Sequence, residues 1–308
     1  MHAVGVASQK TLRKSIHCRG VGLHGGQHIG MTLHPAEPDR GIVFRRSDRG
    51  GAEIPCRLAH AIEMSYCTAL DNGEGLAVAT VEHVVAAFAG LEIDNVVVEL
   101  DGPEIPVMDG SAAPFVFLIE CAGIVDQDAP RRAIKILKPI TIIDGAKSAR
   151  LVPDDAFSIG FSIDFAANAI RHQSINLVID PETFKADIAR ARTFGFLDEV
   201  NELRAAGFAR GGSLDNAVVI RDGEVMNREG LRYVDEFVRH KVLDAMGDLY
   251  LAGAPLIGRF EAVRSGHSLN RRVLAALFAD SSAWRMSFMP KIEPAALMWH
   301  ESVSRARA

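Results

Sequence analysis

Midway along this 308-residue chain the segment Asp126-Gln127-Asp128-Ala129-Pro130-Arg131-Arg132 is polar, charged and proline-broken, and after it the pattern of the first half begins again. Lys138-Pro139-Ile140 leads through a turn at Gly145 to Leu151-Val152-Pro153, much as Lys14-Ser15-Ile16 leads through Gly26 to Leu33-His34-Pro35. The restart points to a duplicated unit, and the length agrees, since about 150 residues per domain gives two domains. The expected division is therefore 1–127 and 128–308, with the polar segment as linker.

The first half opens with short strands and turns. Leu12 to His17, His28 to His34 and Gly41 to Phe44 alternate in part, with glycine pairs at Gly25-Gly26 and Gly50-Gly51, so a β meander is expected. Thr80 to Gly90 reads as a helix. Thr80 can cap it, Val81, Val84, Val85 and Phe88 recur at helical spacing, and Gly90 ends it. Asn95 to Leu100 follows as a buried strand, and an apolar helix runs from the Asp109-Gly110-Ser111 turn to about Gly123. The second half ends with helices over about Tyr233 to Leu251 and Ser268 to Ala279.

Charge and composition exclude several classes. A net charge of -5 leaves no global positive field to hold nucleic acid or an anionic membrane. The longest nearly apolar stretch, Ala112 to Val125, is interrupted by Pro114 and Glu120 and is about 14 residues, short of the roughly 20 that span a bilayer. The N-terminus lacks a signal-peptide pattern, so a cytoplasmic location is expected. Cys18, Cys56, Cys67 and Cys121 form no close pair, which argues against a disulfide framework or a cysteine-rich zinc module. Eleven histidines direct attention to imidazoles instead.

On the long helix His240, Asp244 and Asp248 are spaced i, i+4, i+8 and form one stripe, while Val234, Val238, Val242, Ala245, Met246 and Leu249 gather on the other side. Alone, such a stripe is an ordinary solvated face. Glu82-His83 on the first helix changes the reading, because adjacent side chains point along different radii and one can ligate a metal while the other reaches a water beside it. A catalytic zinc takes three protein ligands and leaves a position for water, whose pKa it lowers toward about 7. His83, His240 and Asp244 supply such a set, and Glu82 a general base. In Ser265-Gly266-His267-Ser268, His267 is either an incidental histidine of a capping loop or, steadied by Asp248, a general acid for a leaving amine. Arg190 to Phe196, followed by Leu197, Val200 and Leu203, is either a strand and helix packed on the core or the wall of an apolar channel. In the second case Thr193 can donate to an oxyanion.

Taken together, Thr80-Val81-Glu82-His83, Asp109 to Phe115, Arg192 to Phe196, His240 to Asp248 and Ser265-Gly266-His267 resemble the UDP-3-O-acyl-N-acetylglucosamine deacetylases of lipid A biosynthesis, from about residue 9 to 290. The resemblance implies an α+β fold of two similar domains, with helices enclosed between two outer sheets. Each domain would carry an insert near the site, at about 60–75 and about 193–217. It implies a cytoplasmic enzyme, expected to be a monomer, that binds one catalytic zinc ion, with iron(II) as the alternative, and removes acetate from the glucosamine nitrogen of a UDP-linked sugar. His83, His240 and Asp244 would ligate the metal, Glu82 act as base, His267 as acid with Asp248 behind it, and Thr193 at the oxyanion. Lys241 and Arg264 would meet the substrate's polar parts, Phe194 the sugar and Phe161 the uracil, with the 193–217 insert around the acyl chain.

Four positions depart from the family pattern: Arg264 where lysine is common, Gly160 where some members are acidic, and Ser65 and Ala69 around Tyr66-Cys67-Thr68. Cys67, being a thiol near the site, is a candidate ligand for a second, inhibitory zinc.

Overall fold

Alternation of buried and exposed side chains builds the outer layers. The computed structural model describes residues 5–291; Met1 to Val4, part of the N-terminal reading above, and 292–308, the end of the second expected domain, lie outside the described residues. In the first half β1 (Ser8–Leu12), β2 (Ile16–Val21), β3 (His28–Pro35), β4 (Ile42–Arg46) and β5 (Ala52–Pro55) precede a small sheet of β6 (Ala61–Ile62), β7 (Ala69–Asp71) and β8 (Ala77–Ala79). Helix α1 (Glu82–Gly90), β9 (Val96–Leu100) and α2 (Ala113–Ala122) complete it. The second half runs through β10 (Ile124–Pro130), β11 (Arg132–Ile136), β12 (Ile140–Asp144), β13 (Lys147–Val152), β14 (Phe157–Asp164) and β15 (His172–Val178). A short turn α3 (Pro181–Thr183) leads to β16 (Phe194–Phe196), α4 (Leu197–Ala205), β17 (Val218–Arg221) and β18 (Glu224–Val225). Helix α5 (Glu236–Tyr250), β19 (Leu256–Val263), α6 (His267–Ala279) and β20 (Trp284–Phe288) close the described chain.

The two main sheets share one topology. The first has the order β2-β3-β9-β4-β5, the second contains β12-β13-β19-β14-β15, and in each the third and fourth strands are parallel while the flanking pairs are antiparallel. The registers correspond as well: Ile16 faces Leu33 in one hairpin and Ile140 faces Leu151 in the other, the residues that the restarting pattern brings into correspondence. In both halves one helix precedes the central parallel strand and one follows it, giving an α+β sandwich with its helices between the sheets.

Helix α1 has no solvent-facing side. Val81, Val84, Val85, Ala86, Ala87 and Phe88 are all fully buried, as suits a helix packed on several sides. It lies against α5, which in turn packs on β14 and β15, while α6 covers β12 and β13. Helix α5 is likewise buried round most of its girth, so the His240, Asp244 and Asp248 stripe faces the interior and not solvent. Val234, expected on the apolar side of α5, is 95% exposed and precedes the helix.

Two further expectations give way to tertiary contacts. Thr80 does not cap α1: its φ is 59°, and its hydroxyl donates to Glu104 Oε1 at 3.0 Å. The polar segment around Asp126 is not a free linker, because β10 pairs antiparallel with β1, Leu12 opposite Ile124 and Lys10 opposite Asp126. Arg131 beside it is buried, with Nε donating to Asp94 Oδ1 at 2.9 Å and a second nitrogen 3.0 Å from Glu92. Charge that reads as solvent-seeking is neutralised by two half-buried carboxylates.

Candidate metal centre and acid-base site

Where α1 and α5 touch, three donors converge. His83 Nε2 and His240 Nε2 lie 3.6 Å and 3.3 Å from the same oxygen, Asp244 Oδ1, and all three ligand atoms fall within 4.8 Å of one another. His240 Nδ1 is 3.1 Å from the Ala191 carbonyl oxygen, an acceptor, which assigns the proton to Nδ1 and leaves the Nε2 lone pair facing the cluster. Burial lowers the His240 pKa to about 4 and so keeps the ring neutral. Burial acts to raise the Asp244 pKa, but His240 and Lys241 outweigh it and hold the carboxyl well below its ordinary range. Lys241 Nζ donates to Asp244 Oδ2 at 2.8 Å. Two imidazole nitrogens and an ionised carboxylate, buried and convergent, fit a divalent ion such as zinc or iron(II).

Beside the donors stand a carboxylate and an imidazole from different halves. Glu82 begins α1, and burial raises its pKa against the lowering effect of His267 and His83. Its Oε2 accepts the Thr68 N–H at 3.0 Å, and its Oε1 lies 4.0 Å from His267 Nε2. His267 is the first residue of α6, so the loop before that helix sets where the ring projects. Its Nδ1 is 2.9 Å from Asp248 Oδ2. Asp248 is fully buried and also accepts from Asn270 Nδ2 at 2.9 Å and the Thr68 hydroxyl at 2.5 Å. Burial works to lower the His267 pKa, yet the Asp248 carboxylate prevails and raises it to about 9.

A cavity of about 330 Å³ joins these groups to an apolar channel. Glu82, His83, Thr193, Phe194, His240, Lys241, Asp244 and His267 line one end; Leu197, Val200 and Leu203 of α4, with Leu214, Ala217, Val219 and Met226, line the other. Thr193 is fixed by its main chain, its N–H donating to Gly110 O and its carbonyl accepting from Val218 N, both at 2.8 Å. Phe194 packs edge-on against Phe237, with Lys241 Nζ 5.7 Å from its ring centre.

Other expected residues lie elsewhere. Phe161 is 2% exposed in β14, packed near Phe260, and does not line the cavity. Gly160 lies under the side chains of Arg259 and Asn176. The aromatic that reaches the site's edge is Phe165, whose ring centre is 6.0 Å from that of Phe194. Asp164, just before it, pairs with Arg264. Cys67 is fully buried, with Met64 Sδ at 3.3 Å, and burial, reinforced by Glu82, pushes its thiol up to about 12. It is not part of the convergent donor set. Sequence reading passed over Thr68 and Asn270, whose neutral side chains signal nothing until the fold brings them to Asp248.

A convergent nitrogen and oxygen donor set flanked by a carboxylate and an imidazole is suited to hydrolysis, and a polar end opening into an apolar channel suits a substrate with a hydrocarbon tail. The class is that of the metal-dependent hydrolases. A family model described as UDP-3-O-acyl N-acetylglycosamine deacetylase matches residues 9–279, and the chain belongs to that family. Relatives named UDP-3-O-acyl-N-acetylglucosamine deacetylase from Saccharophagus degradans, Shewanella oneidensis and Shewanella baltica are each 48% identical over 281 residues, 90% of this chain and 92% of theirs. No helix among the described residues is long and apolar enough to cross a membrane.

Proposed function

We propose that this chain hydrolyses the N-acetyl group of UDP-3-O-acyl-N-acetylglucosamine, giving UDP-3-O-acyl-glucosamine and acetate, the committed step of lipid A biosynthesis, as a monomer in the cytoplasm. The names of its relatives support the substrate, and one geometric observation carries the chemistry. Glu82 and His267 face each other at 4.0 Å beside the His83, His240 and Asp244 donors, at the head of the channel.

A divalent ion held by those three residues, zinc or iron(II), would supply Lewis acidity that polarises a carbonyl oxygen and acidifies water. The remaining work belongs to side chains. Glu82, with its pKa raised, accepts the proton of the attacking water. His267, kept protonated by Asp248, delivers a proton to the glucosamine nitrogen, which leaves only as an amine. The Thr193 hydroxyl donates to the oxyanion that develops on the acetyl carbonyl. Lys241 adds positive charge beside it, and Phe194 packs on the sugar. Arg264 meets phosphate after exchanging its Asp164 partner. At the uracil end Phe165 fits the aromatic role better than Phe161, since only a ring outside the core can stack on a base. The channel around Val200, Leu203 and Ala217 encloses the acyl chain.

The test is acetate release from UDP-3-O-acyl-N-acetylglucosamine by the purified, metal-loaded protein. Glu82→Ala should abolish it while metal stays bound. Full turnover by that variant would overturn the mechanism, and substrate binding without acetate release by the unaltered protein would reduce the chain to a nucleotide-sugar binder.

A further inference from the structure

Thr68 touches both halves of the acid-base pair. It is fully buried just before β7, and its main chain grips the start of α1: its N–H donates to Glu82 Oε2 at 3.0 Å, and its carbonyl accepts the Val81 N–H at 3.1 Å. Its hydroxyl reaches in the other direction, donating to Asp248 Oδ1 on α5 at 2.5 Å and lying 3.2 Å from His267 Nδ1. We infer that Thr68 is a positioning residue that sets the orientation of Asp248, and through it of His267, from the same peptide that holds Glu82. The inference rests on the proposed roles of Glu82 and His267.

The hydrogen-bond inventory supports it. A carboxylate can turn about its Cβ–Cγ bond, and Asp248 must present Oδ2 to His267 to keep the imidazole aligned. Asn270 Nδ2 and His267 Nδ1 both reach Oδ2 at 2.9 Å, so the Thr68 hydroxyl is the donor nearest to Oδ1 and the one that holds it. Asn270 is itself held, its Oδ1 accepting the Ser265 hydroxyl at 2.6 Å. Without the hydroxyl a buried carboxylate oxygen keeps only the 3.2 Å contact to His267 Nδ1, and Asp248 gains freedom to rotate.

The test uses the full metal-loaded chain and three variants. Thr68→Val keeps the shape and the main-chain bond to Glu82 but removes the hydroxyl, Thr68→Ser keeps the hydroxyl, and Thr68→Ala relieves any packing conflict. Losing a hydrogen bond to a charged group predicts a fall in kcat of about 10- to 100-fold for Thr68→Val, with KM and metal content little changed and Thr68→Ser within about threefold of wild type. In an Asp248→Asn background the further loss from Thr68→Val should shrink below about twofold, since the two act through one contact. Wild-type kcat and pH profile in Thr68→Val, or effects that multiply in the double variant, would overturn the inference. So would unfolding of both Val and Ala variants beside a native Thr68→Ser, which assigns the hydroxyl to stability. Full turnover in Glu82→Gln and Asp248→Asn would instead bring down the reading of the site and the inference with it, whereas loss in those two beside an unaffected Thr68→Val overturns the inference alone.

Discussion

Gly247 of α5 lies against the main chain of Glu82 in α1, so closely that a methyl group at position 247 would stand 2.2 Å from the Glu82 carbonyl oxygen and 2.9 Å from its Cα. The missing side chain lets the two helices approach until His83 and Asp244 share a donor cluster. The conflict is with backbone, which has no rotamer to escape into. Gly247→Ala should therefore lower unfolding stability by about 2 kcal/mol or more and weaken metal retention. Denaturant titration and metal analysis check both, and a variant of wild-type stability would show that the helices part without cost.

Chelation of the purified protein should abolish acetate release, and zinc should restore it at about one ion per chain. Asp244→Ala and His240→Ala should lose tight binding, whereas His267→Gln should keep its metal while turnover drops by about 10² to 10⁴. Metal loss from His267→Gln, measured by atomic absorption, would mean that a ligand has been misassigned.

Much of this site was legible in the chain because its donors follow helical spacing: His240, Asp244 and Asp248 fall on one stripe whatever α5 packs against. Glu82-His83 is legible for a different reason, since neighbours on a helix point along different radii. What stayed hidden depends on partners distant in sequence. Nothing near Thr68 announces Asp248, 180 residues away, and nothing near Asp126 announces its pairing with Lys10. Phe161 and Phe165 are four residues apart and would share a face by strand alternation; only the end of β14 at Asp164 separates a ring buried in the core from one beside Phe194. The repeat showed itself through turns and strand ends, which local chemistry dictates.

The His267 and Asp248 pair makes the metal-free protein's stability depend on pH. The imidazole pKa rises from about 6.5 to about 9 on folding, so the contribution is complete below about 6.5 and is lost as pH rises through about 9. Unfolding free energies of metal-free wild type should fall across that window more steeply than those of His267→Gln. Parallel curves for the two proteins would contradict the assignment.

Filling the channel should shorten the acyl chain it accepts. Leu203→Trp places a larger ring among Val200, Ala217 and Met226, so kcat/KM for long-chain substrate should fall about tenfold or more, with a short-chain analogue spared. Equal losses on both substrates would remove this region from chain recognition.

The shared topology of the two sheets bears on how the site is divided between the halves. The helices before the two central strands each supply one imidazole and, seven residues on, a glycine: His83 and Gly90 from α1, His240 and Gly247 from α5. The remaining groups are not shared evenly: Glu82 comes from α1, whereas Asp244 and Asp248 come from α5. One helix thus gives the proposed base and the other the proposed carboxylate ligand. Neither half on its own carries the complete centre.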